Sequence, residues 1–195
     1  MKIIAQAPLF QDPIYDGAAD PTIIWNKKEK AWWIFYTNRR AWGPNHQVSF
    51  MHGTDIGVAS SSDGGANWVY RGTVNGLEFE PGRNTFWAPE VLEENGKYHM
   101  YVSYVRGIPL TWEFGRKILH YISDDLWNWK YEGKIELSSD RVIDACVFQL
   151  PDQTWKMWYK DERNGSHTYA AISEDLYHWN VKGAEITDCA HEGPN

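Results

Sequence analysis

Three short segments read as aromatic-rich strands: Trp32-Trp33-Ile34-Phe35-Tyr36-Thr37, Tyr98-His99-Met100-Tyr101-Val102-Ser103-Tyr104 and Trp155-Lys156-Met157-Trp158-Tyr159. Each follows a polar turn, spanning 26–30, 94–97 or 151–153, and before each turn lies another apolar stretch. Asn95-Gly96 and Pro151-Asp152 are hairpin chemistry, so the strands flanking each turn are predicted to be antiparallel neighbours. A third strand follows in each unit and ends on a shared punctuation: Ser62-Asp63 with Trp68, Ser123-Asp124 with Trp129, Ser173-Glu174 with Trp179. After each Trp come a short fourth strand and a glycine: Gly72, Gly133 and Gly183. Four short strands per unit with periodic aromatic and Gly marks predict the blades of an all-β propeller, each a four-stranded antiparallel sheet. Helical periodicity is nearly absent.

The units are predicted at about 18–75, 86–136 and 142–187, with the start of a fourth at about 190–195. Propellers close with about four to eight blades. Three blades and a stub would leave open sheet edges, which natural proteins avoid. The expectation is therefore a piece of a longer reading frame, the alternative being completion by a second copy.

Composition narrows the class of partner. The 195 residues include 19 basic and 26 acidic, for a net charge of -7, with no basic stripe that would bind nucleic acid. Of the 12 Trp, 11 Tyr and 7 Phe most are expected in the core and a few in a site, since flat aromatic faces also stack on sugar rings. Cys146 and Cys189 form neither a disulfide framework nor a metal motif. No metal site is predicted from His or Cys spacing. No apolar run has the length of a membrane span, and residues 1–8 make no signal segment. As written the chain reads as cytoplasmic; a processed form would be periplasmic or secreted.

The candidate chemistry lies where the repeat begins. Acids open the units at Asp20, Glu90, Asp144 and Glu192. In a blade the start of the first strand and the loop between the second and third strands share one face of the disc. That face is predicted to gather the four acids beside Asn38, Arg39, Arg40, His52, Arg106 and the run 161–163. Trp87 is the candidate sugar-stacking face. Glu90, placed deeper along its strand, is a candidate for binding sugar hydroxyls, as are Asn38, Arg39, His52 and Arg106. Asp12-Pro13 reads as a turn cap, because no strand-turn-strand unit follows it directly.

Ala19-Asp20-Pro21, Trp87-Ala88-Pro89-Glu90, Ile143-Asp144 with Val147-Phe148, and Glu192-Gly193-Pro194 together resemble glycoside hydrolase family 43. The resemblance implies a five-bladed propeller that cleaves arabinose-, xylose- or galactose-type glycosides in an oligo- or polysaccharide, with inversion. It also implies Asp20 as general base, Asp144 as the orienting acid and Glu192 as general acid. Asp144 would hold the proton of Glu192 by like-charge repulsion. An inverting pair leaves room for water with carboxyls about 6.5–9.5 Å apart. No cofactor is required; a structural calcium is admitted by the full-length family. The sequence departs from the family at Asp144-Ala145, where Asp-Pro is usual, and at Glu90, where Asp is common.

Rival readings rest on less. Ser61, Asp63, Gly65 and Trp68 fit the Asp-box turn of sialidases in one good copy, without an assignable Arg triad or Tyr nucleophile. Invertase-like signatures are missing, and a phosphorolytic propeller would have only the arginines above as its clamp. A sugar-binding propeller without turnover is the alternative from another class.

Overall fold

The computed structural model describes residues 7–40 and 47–194. Asn195, the last residue of the predicted fourth unit, lies outside them. Twelve strands form three separate four-stranded sheets, each an antiparallel meander in chain order. The first holds β1 (Asp16–Asn26), β2 (Ala31–Arg40), β3 (Asp55–Ser61) and β4 (Val69–Thr73). The second holds β5 (Thr85–Glu94), β6 (Lys97–Val105), β7 (Lys117–Ser123) and β8 (Lys130–Lys134). The third holds β9 (Val142–Gln149), β10 (Trp155–Asp161), β11 (His167–Ser173) and β12 (Asn180–Ile186). The only helical turn among the described residues is Ser49–Met51. These are propeller blades, and among the described residues no sheet closes on itself.

The packing explains the unbroken apolar runs of the second strands. Side chains alternate faces along a strand, so a strand covered on one face alternates apolar with polar. β6 is covered on both faces. Met100, Val102 and Tyr104 join Trp33, Phe35, Ile56 and Val58 of the first sheet in one core. Tyr101, between them in sequence, joins Val147, Met157 and Tyr159 of the third sheet in the other. The outer strands β4, β8 and β12 bury little and carry the polar residues.

Two backbone seams bind neighbouring blades. Asn75 exchanges bonds with the chain around Asn128, its N–H donating to the Trp127 carbonyl at 3.0 Å and its carbonyl accepting from Trp129 at 2.9 Å. Gly76, at φ +89°, allows this approach, because a Cβ there would run into the Trp129 carbonyl. The Arg116 N–H donates to the Asp140 carbonyl at 2.8 Å and its carbonyl accepts from the Val142 N–H at 3.2 Å, forming the second seam.

The turns after the third strands share one Ser-to-Asp bonding pattern in all three blades, although only the first has the Gly65 and Trp68 spacing of the full Asp-box. Ser61, Ser123 and Ser173 each donate to the acid two residues on: Asp63, Asp125 and Asp175. Asp125 accepts the N–H groups of Trp127 and Asn128, and Asp175 those of Tyr177 and His178. Asp124 and Glu174, adjacent to the serines in sequence, are not the turn-forming acids.

Candidate active site

Each first strand breaks its register once, at the same place. The breaks fall between Ala19 and Thr22, between Trp87 and Glu90, and between Ile143 and Cys146. Inside each lies one residue with positive φ: Asp20 at 50°, Ala88 at 45° and Asp144 at 59°. Such bulges re-aim a side chain out of the ladder, and Asp tolerates the left-handed conformation better than most residues. Pro21 and Pro89, which cannot donate to a ladder, fit the bulge for the same reason. The counterpart of Asp20 and Asp144 in the second blade is therefore Ala88. The predicted equivalence of Glu90 is corrected: it aligns with Thr22 and Cys146, two residues further along.

Hydrogen bonds lock these bulges together across blades. The Ala88 N–H donates to Thr37 Oγ1 at 2.8 Å, and the Asp144 N–H to Ser103 Oγ at 2.9 Å. Thr37 and Ser103 occupy matching positions opposite the bulges of their own blades. Lys160 holds that position in the third blade, and its Nζ donates to Glu192 Oε2 at 2.9 Å. Thr37 also donates to Asp20 Oδ2 at 3.3 Å.

A cavity of about 730 Å³ opens over this array. Asp20, Asp144, Glu192, Arg39 and Trp87, all singled out in the sequence, line it. Thr37, Met51, Trp112, Arg116, Lys160 and Glu162 line it too, from the ends of second strands and the loops that follow, and Arg141 joins them from just before β9. A second cavity, about 600 Å³, lies at the outer side of the first blade among Leu9, Phe10, Trp68 and Tyr70 and gathers no acids.

The electrostatics separate the acids. Burial, and then the nearby charge of Asp20, push Asp144 up to about 7, against the pull of Lys160. Asp20 faces the cavity, but the protein crowded around its carboxyl raises it, against the charge of Arg39 and the Thr37 hydroxyl bond. The Glu192 side chain is 93% exposed and paired to Lys160, which itself lies 3.7 Å from Glu162. Gly193 packs directly on Asp144, and a Cβ there would run into the Asp144 side chain.

Four predicted substrate contacts do not reach the cavity lining. Glu90 is committed to the fold: its carboxylate accepts from the Val147 N–H at 3.0 Å and from Thr22 at 3.3 Å, tying three first strands together. Burial raises its pKa, and those two bonds oppose the rise without cancelling it. Asn38 is buried and accepts the Asp55 N–H at 3.0 Å. His52 is buried, its Nδ1 3.0 Å from the Val48 carbonyl, and desolvation lowers its pKa so that it stays neutral. Its ring packs 5.0 Å from Trp87. Arg106 points to solvent, 3.7 Å from Glu80. Arg40 pins the loop after β2 by donating to the Ser49 and His52 carbonyls, each at 2.9 Å. Asp12 caps its turn as predicted, accepting from the Ile14 and Tyr15 N–H groups and from the Tyr36 hydroxyl.

One donor group was passed over in the sequence. Asp188, Cys189 and His191 bring ligand atoms within 4.8 Å of one another, the only such trio among the described residues. One oxygen, one sulfur and one nitrogen do not suit calcium, which takes six to eight oxygens. Both cysteines are free thiols, and Cys189 is exposed. Among the described residues no helix is long and apolar enough to cross a membrane.

No sequence family and no curated protein matches the chain. Solved structures do match in fold. A family 117 glycoside hydrolase from the marine bacterium Zobellia galactanivorans aligns at TM-score 0.74 and 19% identity, over 94% of this chain and 61% of that one. A family 43 β-xylosidase/α-arabinofuranosidase from a compost metagenome, solved with xylotriose in a calcium-free form, aligns at 0.67 and 19%, over 93% and 62%. The Penicillium chrysogenum α-L-arabinanase, solved with arabinobiose, aligns at 0.65 and 18%, over 89% and 52%. The chain thus has the propeller fold of these glycoside hydrolases and spans between half and two thirds of their length.

Proposed function

We propose that this chain carries the acid cluster of a glycoside hydrolase acting on arabinose-, xylose- or galactose-type oligo- or polysaccharides by single displacement. The observation that carries the reading is the convergence of Asp20, Asp144 and Glu192, from two bulged first strands and the segment after the third blade, on one cavity with a Trp in its wall. Asp20, ionised, takes the proton of a water attacking the anomeric carbon. Glu192 donates to the leaving oxygen from the other side of the sugar, and Asp144 orients it. The Asp144 carboxyl, held near 7, keeps a proton in the cavity close to neutrality. Lys160 sets the position of Glu192, and Gly193 brings that segment against Asp144.

A second reading has its own support. The Lys160 ammonium on Glu192 suits a carboxylate better than a donor acid, which favours a sugar-binding propeller without turnover.

The test is hydrolysis of aryl arabinosides, xylosides and galactosides by the chain, and by a longer chain containing it, each beside its Asp20→Asn variant. Turnover lost in the variant supports the glycosidase reading. Sugar binding without turnover in both chains supports the second reading, and neither binding nor turnover refutes both.

A further inference from the structure

The loop between β6 and β7 carries an exposed aromatic that the acid chemistry does not use. Trp112 lines the cavity and is 43% exposed, although a tryptophan gains by full burial. The ring is held by protein, with His52 at 5.6 Å and Trp87 at 6.4 Å between ring centroids, both tilted, and the Arg116 guanidinium 5.7 Å from the ring. His52, buried, packs against both indoles, which also meet each other directly.

The loop is fastened along its length. Gly107 accepts from Thr85 Oγ1 at 2.8 Å and donates to Asn84 at 2.9 Å. Arg116, itself buried, donates to the Trp112 carbonyl at 2.8 Å and the Phe114 carbonyl at 3.3 Å, and pairs with Glu162 at 2.8 Å. Glu113 reaches Arg141 at 2.9 Å. Ile108 packs over Gly53, where a Cβ would come within 3.0 Å of it. An indole held in this way costs little entropy to use as a contact surface.

We propose that Trp112, continuing the wall begun by Trp87, is a stacking platform for a second sugar ring, next to the ring handled by the acids. The inference rests on the glycoside reading of the cavity and adds to it: the ligand is a chain of at least two sugars, and Trp112 selects for length. A flat apolar ring face pairs with the axial C–H face of a pyranose or furanose and asks for no particular hydroxyl pattern.

The experiment is calorimetric binding of xylose, xylotriose, arabinose and arabinotriose to the wild-type chain and to Trp112→Ala and Trp112→Phe, with folding checked by circular dichroism. The platform predicts that the favoured trisaccharide binds the alanine variant about tenfold more weakly, the loss of one stacking contact. It predicts that the monosaccharide is held equally by both proteins, and that phenylalanine restores most of the loss. Equal trisaccharide binding by wild type and the folded alanine variant would overturn the platform and leave the glycoside reading standing. A parallel loss for the monosaccharide would also overturn it, since Trp112 would then serve the first ring. No binding of any of these sugars by the wild type would overturn the platform, and the hydrolysis assay on arabinosides, xylosides and galactosides judges the glycoside reading separately.

Discussion

Replacing Asp144 by Asn removes a buried carboxyl that resists ionisation while sparing its geometry. The Asp144 N–H to Ser103 is a backbone bond and survives, and Asn adopts a φ of 59° at least as readily as Asp. The rise of Asp144 from 3.8 to about 7 corresponds to about 4 kcal/mol. The sign follows from linkage. The folded protein holds this proton more tightly than the unfolded chain, so the favourable contribution is complete below the unfolded value and is lost as pH rises through about 7. Asn, which never ionises, avoids that loss. Asp144→Asn is therefore expected to be more stable than wild type at pH 9, with the difference between the two larger by about 2.5 kcal/mol at pH 9 than at pH 5. Urea melts of both proteins at matched ionic strength measure that difference. A difference that stays constant with pH, or that shrinks as pH rises, would refute the claim that burial and Asp20 hold this carboxyl in its neutral form.

Further outcomes follow from the same contacts. Ser103→Ala leaves the buried Asp144 N–H without a partner and is expected to cost about 1–3 kcal/mol in urea unfolding; no loss would mean that this bond between blades is dispensable. Gly193→Ala forces its new methyl into the Asp144 side chain and should displace the Glu192 segment, seen as changed amide shifts for residues 188–194 with blade cores unmoved. Met100→Ala, at a fully buried site in the core shared by the first two blades, is expected to cost about 2–5 kcal/mol.

Much of this structure is legible in the sequence because blades repeat. The second strands announce themselves by their aromatic content, and β6, covered on both faces, by an unbroken apolar run; β10 alternates, with Lys156 and Trp158 half-buried. Asp20, Asp144 and Glu192 could be grouped because the start of every first strand lies on one face of the disc. The alignment of the second blade was misread for want of weight on proline. Asp20-Pro21 matches Ala88-Pro89, and Glu90 drew attention only because it is acidic. The Ser-x-Asp spacing of the turns was likewise present three times, masked by acids next to the serines. Lys160 and Trp112 left no such mark. One is a strand residue whose partner lies 32 positions away, the other sits on an irregular loop whose course depends on Arg116 and Glu162. Contacts of that range exist only once the blades are stacked.

The carboxylate roles make one outcome distinctive. Single displacement with Asp20 as base and Glu192 as acid must release the sugar with its anomeric configuration inverted. Proton NMR of the first product formed from an aryl arabinoside or xyloside, recorded before mutarotation, reads that configuration directly. The account predicts the inverted anomer, and no product from Asp20→Asn. Release of the retained anomer, or undiminished hydrolysis by Asp20→Asn, would contradict it.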